Sequence, residues 1–111
     1  MAENTERIYG LTWEAIYPMW LAKVERKNRT AAELDEILTW LTNFTEPSKT
    51  IGTFEKLLEN QTFNEHASLI KGVICGVRVE EIQDPIVQKV RQIDKVVDEL
   101  AKGRKIEKIK R

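Results

Sequence analysis

The chain has 111 residues, 41% of them apolar, which suits one domain with a modest core and leaves no room for a separate catalytic domain. Eighteen Lys and Arg balance eighteen Asp and Glu, so no overall field draws the protein to nucleic acid or anionic lipid, and an electrostatic partner must be held by a local patch. Apolar runs such as Val73-Ile74-Cys75 fall far short of the roughly 20 residues that cross a bilayer, and one Cys with one His makes neither an internal disulfide nor a closed zinc site.

The start, Met-Ala-Glu-Asn-Thr-Glu-Arg, has neither the basic nor the apolar region of a secretory signal. These exclusions predict a cytoplasmic protein of one domain, 1–111, with residues 1–8 frayed. No metal, no cofactor and no membrane association are expected.

The first predicted helix runs from Thr12 to Lys27. Thr12 suits an N-cap, Glu14 favours the start, and Trp13, Tyr17, Trp20, Leu21 and Val24 recur at helical spacing. Pro18 removes a backbone donor, so either the helix kinks near Ile16 or the main helix begins at Pro18. Asn28, tolerant of left-handed backbone, ends it. Thr30-Ala31-Ala32-Glu33 has the capping-box spacing, and Leu34, Ile37, Leu38 and Leu41 follow at i, i+3, i+4 and i+7 as a core-facing stripe. The short link from Lys27 to Thr30 makes the two helices antiparallel neighbours.

Thr45 to Gly52 is a loop by composition. Thr53 to Asn60 is a short helix with Phe54, Leu57 and Leu58 inward, and Gln61 to His66 is a polar connector carrying Phe63. Between Ser68 and Ile82 two signals compete. The β-branched content argues for a strand, whereas Gly72 and Gly76, four residues apart, would share one helical face and permit close packing. Because a strand would lack an evident partner, the expectation is a buried helix ending at Gly76, then a turn and a short helical segment from Val79 to Ile82.

Asp84-Pro85 is an N-cap followed by proline at the first helical position. Ile86, Val90, Ile93, Val97 and Leu100 then step by four, three, four and three, an a/d seam of two heptads that Gly103 stops. Residues 104–111 form a basic tail, with Ile106 and Ile109 among six basic groups counted from Lys102. Together these elements predict an all-α fold, a compact bundle of four or five helices whose long C-terminal helix, Asp84 to Lys102, packs across the first two.

Candidate chemistry is sparse. Trp13, Tyr17 and Trp20, with Tyr9 nearby, read as core packing of the first helix rather than as an aromatic pocket. Cys75, in the apolar run Val73-Ile74-Cys75-Gly76-Val77, reads as a buried thiol, because burial raises its pKa and leaves it inert. His66 has no acid partner of the kind nucleophilic catalysis requires. Arg78, Glu80, Glu81 and Asp84 cluster after the glycines, but no spacing fixes a cation's coordination, and ordinary surface charge explains them. Gly72 to Gly76 fits neither a Walker loop nor a dinucleotide fingerprint. The match of Gly72, Gly76, Val77 and Ile82 to helix-turn-helix spacing is loose, with Pro85 cutting short the would-be recognition helix. The basic tail suits nucleic acid through counterion release, and it equally suits a solvated helix C-terminus.

Longer strings carry more. Ile8-Tyr9, Ile16-Tyr17-Pro18, Lys23 with Glu25-Arg26-Lys27 and Arg29, and Trp40-Leu41-Thr42 come first. Leu69 through Ile82 with Asp84-Pro85 is the firmest stretch, and Arg91, Ile93-Asp94-Lys95 and Asp98 through Gly103 complete the set. With these residues the chain resembles, over nearly its whole length, a bacterial family known only as a domain of unknown function, the one numbered twenty-two hundred. The resemblance implies a free-standing cytosolic bacterial protein and brings no activity, cofactor, partner or catalytic residue to carry over. Asn28 and Asn43 stand where that family often has glycine at the ends of the first two helices, and the central loop looks short.

Three functional expectations follow. The first is a non-enzymatic protein-interaction module, as a homodimer or with a protein partner, drawn from the heptad seam and the aromatic residues. The second is nucleic-acid binding through the tail and the glycine-to-glutamate segment. The third is a small-molecule or enzymatic site, of no specified reaction, gathering Tyr9, Tyr17, Lys71, Arg78, Glu81 and Arg91 in one cavity.

Overall fold

A computed structural model describes residues 5–111, and in it the protein is all-α apart from one small hairpin. Helices α1 (Thr5–Gly10), α2 (Trp13–Glu25) and α3 (Ala31–Thr42) come first, followed by the short α4 (Phe54–Leu58). Next is a hairpin of β1 (Val73–Ile74) and β2 (Val77–Arg78), then the long α5 (Pro85–Ala101) and α6 (Ile106–Ile109). Three 3-10 turns, Pro47–Lys49, Glu65–Leu69 and Val79–Glu81, shape the connections. Of the stretch expected to fray, residues 1–4 lie outside the described residues, whereas 5–8 belong to α1, where Ile8 is buried in the core.

The helix boundaries follow from local chemistry. The Thr30 hydroxyl accepts the Glu33 N–H at 3.1 Å while the Glu33 carboxylate accepts the Thr30 N–H at 2.9 Å, a reciprocal cap that satisfies two orphan donors of α3. Asn28 and Asn43 take left-handed backbone, φ 64° and 65°, and close α2 and α3 as expected of a residue that tolerates that region. Asp84 Oδ1 accepts the N–H groups of Ile86 and Val87 at 2.9 and 3.0 Å, with Pro85 in the first turn of α5. Pro18 neither restarts nor ends α2, which runs through it with the ring on the exposed face. Burial of Trp13, Tyr17, Trp20 and Val24 on the other face outweighs the roughly 3 kcal/mol that an interior proline costs.

Helix α5 organises the core, packing against α2, α3 and α4. Val90, Ile93, Val97 and Leu100 are all buried, so most of the heptad seam faces the interior of this one chain. Trp13 is fully buried and meets Trp20 and Phe44 edge-on, with ring centroids 5.2 and 5.3 Å apart. Its indole N–H donates to the Pro47 carbonyl at 2.7 Å, so the polar end of the ring is satisfied away from water. A single antiparallel bridge between Thr12 and Thr53 ties the start of α2 to that of α4, with Trp13 N–H on the Gly52 carbonyl and Phe54 N–H on the Leu11 carbonyl, each at 2.8 Å.

Two regions depart from expectation. Ser68 to Val79 is not a buried helix: Val73 pairs with Arg78 and Ile74 with Val77 in an antiparallel hairpin. Cys75 and Gly76 form its two-residue turn, both at positive φ, 52° and 80°, as a primed hairpin turn requires. The strand that looked partnerless finds its partner immediately after the turn. Lys95 Nζ donates to the Val73 carbonyl at 3.2 Å and pins the hairpin to α5. Cys75 is therefore exposed rather than buried. The helix-turn-helix reading falls as well, since a hairpin and the turn Val79–Glu81 stand where two helices were needed.

The C-terminal segment is the second departure. After Gly103, at φ 90°, the Arg104 N–H returns to the Glu99 carbonyl at 3.1 Å and the chain folds back. Ile109 on α6 is fully buried, Arg104 and Arg111 reach the Glu99 carboxylate at 3.2 and 2.5 Å, and Lys110 reaches Glu36 at 2.6 Å. This is a docked segment, not a solvated tail.

Candidate functional site: a groove between α1, α2, α5 and the hairpin

An open groove of about 870 Å³ runs between α1, α2, α5 and the tip of the hairpin. Its base is apolar, formed by Ile8, Trp20, Phe54 and Val90, all part of the core. Helix α2 and its C-cap residue supply one wall through Ile16, Met19, Trp20, Lys23 and the cap Arg26. These positions fall at i, i+3, i+4, i+7 and i+10, one face of a helix, and span about 15 Å along its axis. The wall is polarised: apolar at its N-terminal end, basic at its C-terminal end. Cys75, Gly76 and Val77 of the hairpin tip close the groove, and Arg7 from α1 and Arg91 from α5 add to the basic rim.

The polar groups are organised rather than scattered. Asp94 accepts the Trp20 indole N–H on Oδ1 at 3.1 Å and the Arg91 guanidinium on Oδ2 at 2.8 Å, so both oxygens of the lining carboxylate are engaged. Just beyond, Asp98 bridges Lys23 and Lys102 at 3.1 and 3.0 Å. Burial by itself would raise the Asp98 carboxyl, but hydrogen bonds from Lys102 and Lys23 hold it below the usual carboxylate range. Four cationic side chains line the groove; Asp94 offsets Arg91 and Asp98 is shared by Lys23 and Lys102, so a modest excess of positive charge stands beside the apolar surface. The Cys75 thiol in the lining has no histidine beside it among the lining residues. Among the described residues no three His, Cys, Asp or Glu side chains gather to hold a metal ion, and no helix is long and apolar enough to cross a membrane.

The family model of DUF2200, described as an uncharacterized protein conserved in bacteria, matches residues 7–111. The chain belongs to this family. A solved structure, the crystal structure of uncharacterized protein SP1917, is 32% identical and similar over 98% of this chain and 92% of that one, with a TM-score of 0.84. No curated protein matches. The DUF2200 match begins at Arg7, so every residue lining the groove and the whole docked C-terminal segment lie within it.

Within this DUF2200 chain the six side chains proposed from sequence occupy separate places. Arg91 lines the groove. Tyr9 donates its hydroxyl to Asp84 Oδ2 at 2.5 Å, a bond that raises the phenol and lowers the carboxyl, so the pair is locked as neutral donor and charged acceptor. Tyr17 is buried in the core and donates to Asp35 at 2.5 Å; burial first, and that bond second, push its hydroxyl far above the ordinary tyrosine range. Lys71, Arg78 and Glu81 are exposed around the base of the hairpin. There Glu80 accepts the Gly72 N–H at 3.0 Å and lies 4.0 Å from Arg78, and that backbone bond, helped by the charges of Arg78 and Lys71, lowers its carboxyl.

Met19, Lys23, Arg26, Arg7 and Asp94 line the groove without having been singled out as site residues from sequence, and Cys75 was read as a buried thiol. Met19, Lys23 and Arg26 are legible as one stripe at helical spacing, beside the more apolar stripe of Trp13, Tyr17, Trp20 and Val24. Cys75 is not, because its place depends on a turn misread as a helix end.

Proposed function

We propose that this DUF2200 protein is a non-enzymatic protein-interaction module that receives a segment of its partner in the groove between α2, α5 and the hairpin. The observation that carries the reading is Met19, 64% exposed, which lines the groove with buried Trp20 at its apolar end while the same lining holds four cations. An exposed apolar surface adjoining charged groups is a feature of docking sites. Most of the seam that suggested a coiled-coil homodimer lies in the core, and the groove offers a concave surface with apolar and basic groups for a partner.

Site-specific photo-crosslinking tests the reading. A photoreactive residue at position 19 should form protein adducts in a bacterial lysate, and Arg26→Glu should abolish them. The same residue at exposed Ser48, outside the groove, should form none of these adducts. Adducts that ignore both the position of the probe and the charge at residue 26 would reject the reading.

A further inference from the structure

We propose that the segment this groove accepts is an amphipathic helix whose apolar side chains, spaced three or four residues apart, are followed about two turns later by carboxylates. The proposal rests on the interaction-module reading and specifies the chemistry of the partner.

Three observations lead to it. First, the groove is polarised along its length. Ile16, Met19 and Trp20 form its apolar end, while Lys23 and Arg26 lie one and two turns further along the same face of α2. A ligand that satisfies both ends must separate its apolar and acidic groups by about 10 Å, the distance that seven helical residues span. Second, the positive charge comes from more than one source. A cation near the end of α2 suits the helix dipole whatever the function, which accounts for Arg26 alone. Arg91, in the middle of α5, and Arg7, on α1, converge on the same rim from other elements. The one lining carboxylate, Asp94, already accepts a hydrogen bond on each oxygen, from Trp20 and Arg91, and so offers less to a basic partner than a bare carboxylate would. Third, the walls are helices. Packing a third helix into the space between two others requires alternating apolar anchors at helical spacing. The hairpin could recruit an added strand, but β2 is two residues long, too short an edge to hold one.

Charge complementarity also weighs against a basic segment, which would set like charges against the rim, and against a purely apolar one, which would leave the basic half of the groove unused. Nucleic acid would meet the cations, but its bases need exposed aromatic faces to stack on, and Trp20 in the groove is buried.

The test uses the full chain and two fluorescein-labelled helical peptides of eighteen residues. They share two leucine anchors four residues apart and differ in carrying Glu or Lys seven and eleven residues after the first anchor. Fluorescence anisotropy at low salt should show the Glu peptide binding at least tenfold more tightly than the Lys peptide. The preference should shrink at least fivefold in Arg26→Glu and as salt is raised from 50 to 300 mM, and Met19→Asp should weaken both peptides. Both substitutions fall on exposed positions, and circular dichroism would confirm that the variants are folded. Equal affinity for the two peptides, preference for Lys, or no binding of either would overturn the acidic helix. Tighter binding of a twelve-nucleotide single strand would overturn it too, assigning the rim to phosphate.

Mass spectrometry of the adducts at position 19 separates this inference from the reading beneath it. A crosslinked segment that is basic, neutral or non-helical in pattern would leave the interaction module standing and remove the acidic helix. An absence of groove-dependent adducts would remove the module itself.

Discussion

The hairpin tip, Val73-Ile74-Cys75-Gly76-Val77, has no charged side chain, yet Val73 and Cys75 face solvent. The last eight residues, Arg104 to Arg111, carry six charged side chains, yet their Ile109 is fully buried and Arg111 lies against Glu99. Composition alone would exchange the two. What decides is the surface each segment finds opposite. Glu99 on α5 and Glu36 on α3 stand where the returning chain can pair Arg104, Lys110 and Arg111, and α6 is then short enough to insert one isoleucine. The hairpin satisfies its own backbone across a turn and needs only the Lys95 contact and Ile74, packed against the core, to stay in place. Apolar side chains left over by that economy become surface, and part of that surface closes the groove.

The comparison can be broken from the docked side first. Ile109→Ala removes a fully buried side chain and should cost about 3 kcal/mol, read as a lowered urea midpoint, with faster proteolysis after Lys102. If Ile109→Ala costs less than about 0.5 kcal/mol, the segment is not docked in solution. Glu99→Ala leaves Arg111, whose side chain is 14% exposed, without its carboxylate, and should cost about 2 kcal/mol. Most of that belongs to Arg111, because Arg104, at 44% exposed, is screened by water.

On the hairpin side the effects are smaller, and their signs carry the information. Gly76→Ala meets open space but must hold φ near 80°, so strain alone should cost about 1 kcal/mol in the same urea titration. Cys75→Asn should instead raise stability by about 0.5 kcal/mol, since Asn accepts the left-handed backbone of a primed turn more readily than Cys. Were Ser68 to Val79 a helix, Asn there would destabilise instead.

The smallest effect is in pH. Glu80 has its carboxyl lowered by the Gly72 N–H, so in the native protein it binds its proton at lower pH than in the unfolded chain. Its support of the hairpin is present above about pH 4.5 and lost as pH falls through the lower native value. Hydrogen exchange at the Gly72 amide, corrected for its intrinsic rate, should therefore lose protection on acidification, and Glu80→Gln should flatten that dependence. A flat profile in the parent protein would show that the bond does not hold the hairpin base.

Much of the helical framework was legible before any tertiary information. Thr30 with Glu33 and Asp84 with Pro85 marked helix starts where they occur, and Asn28 and Asn43 marked ends. The stripe of Leu34, Ile37, Leu38 and Leu41 is buried as its spacing predicts. The reading of Trp13, Tyr17 and Trp20 as core holds as well. It failed where two local descriptions fit equally well. Gly72 and Gly76 suit a helix face and also suit the positive φ of a hairpin, and only the pairing of Ile74 with Val77 separates them. The six proposed site residues were grouped by chemistry alone, and the chain delivers Tyr9 to Asp84, Tyr17 to Asp35 and Arg91 to the groove.

The sequence by itself determined where α2, α3 and α5 begin, which face of α3 and of α5 is apolar, and the family to which the chain is similar. Those properties rest on hydrogen bonds and side-chain spacing within one or two turns, so they are written locally. Tertiary structure alone decided that an apolar hairpin stays outside, that a basic segment docks inside, and that Arg7, Lys23, Arg26 and Arg91 meet around Trp20 and Met19. Such convergence is set by how the core volumes of distant elements fill one interior, and no short window of residues carries that sum.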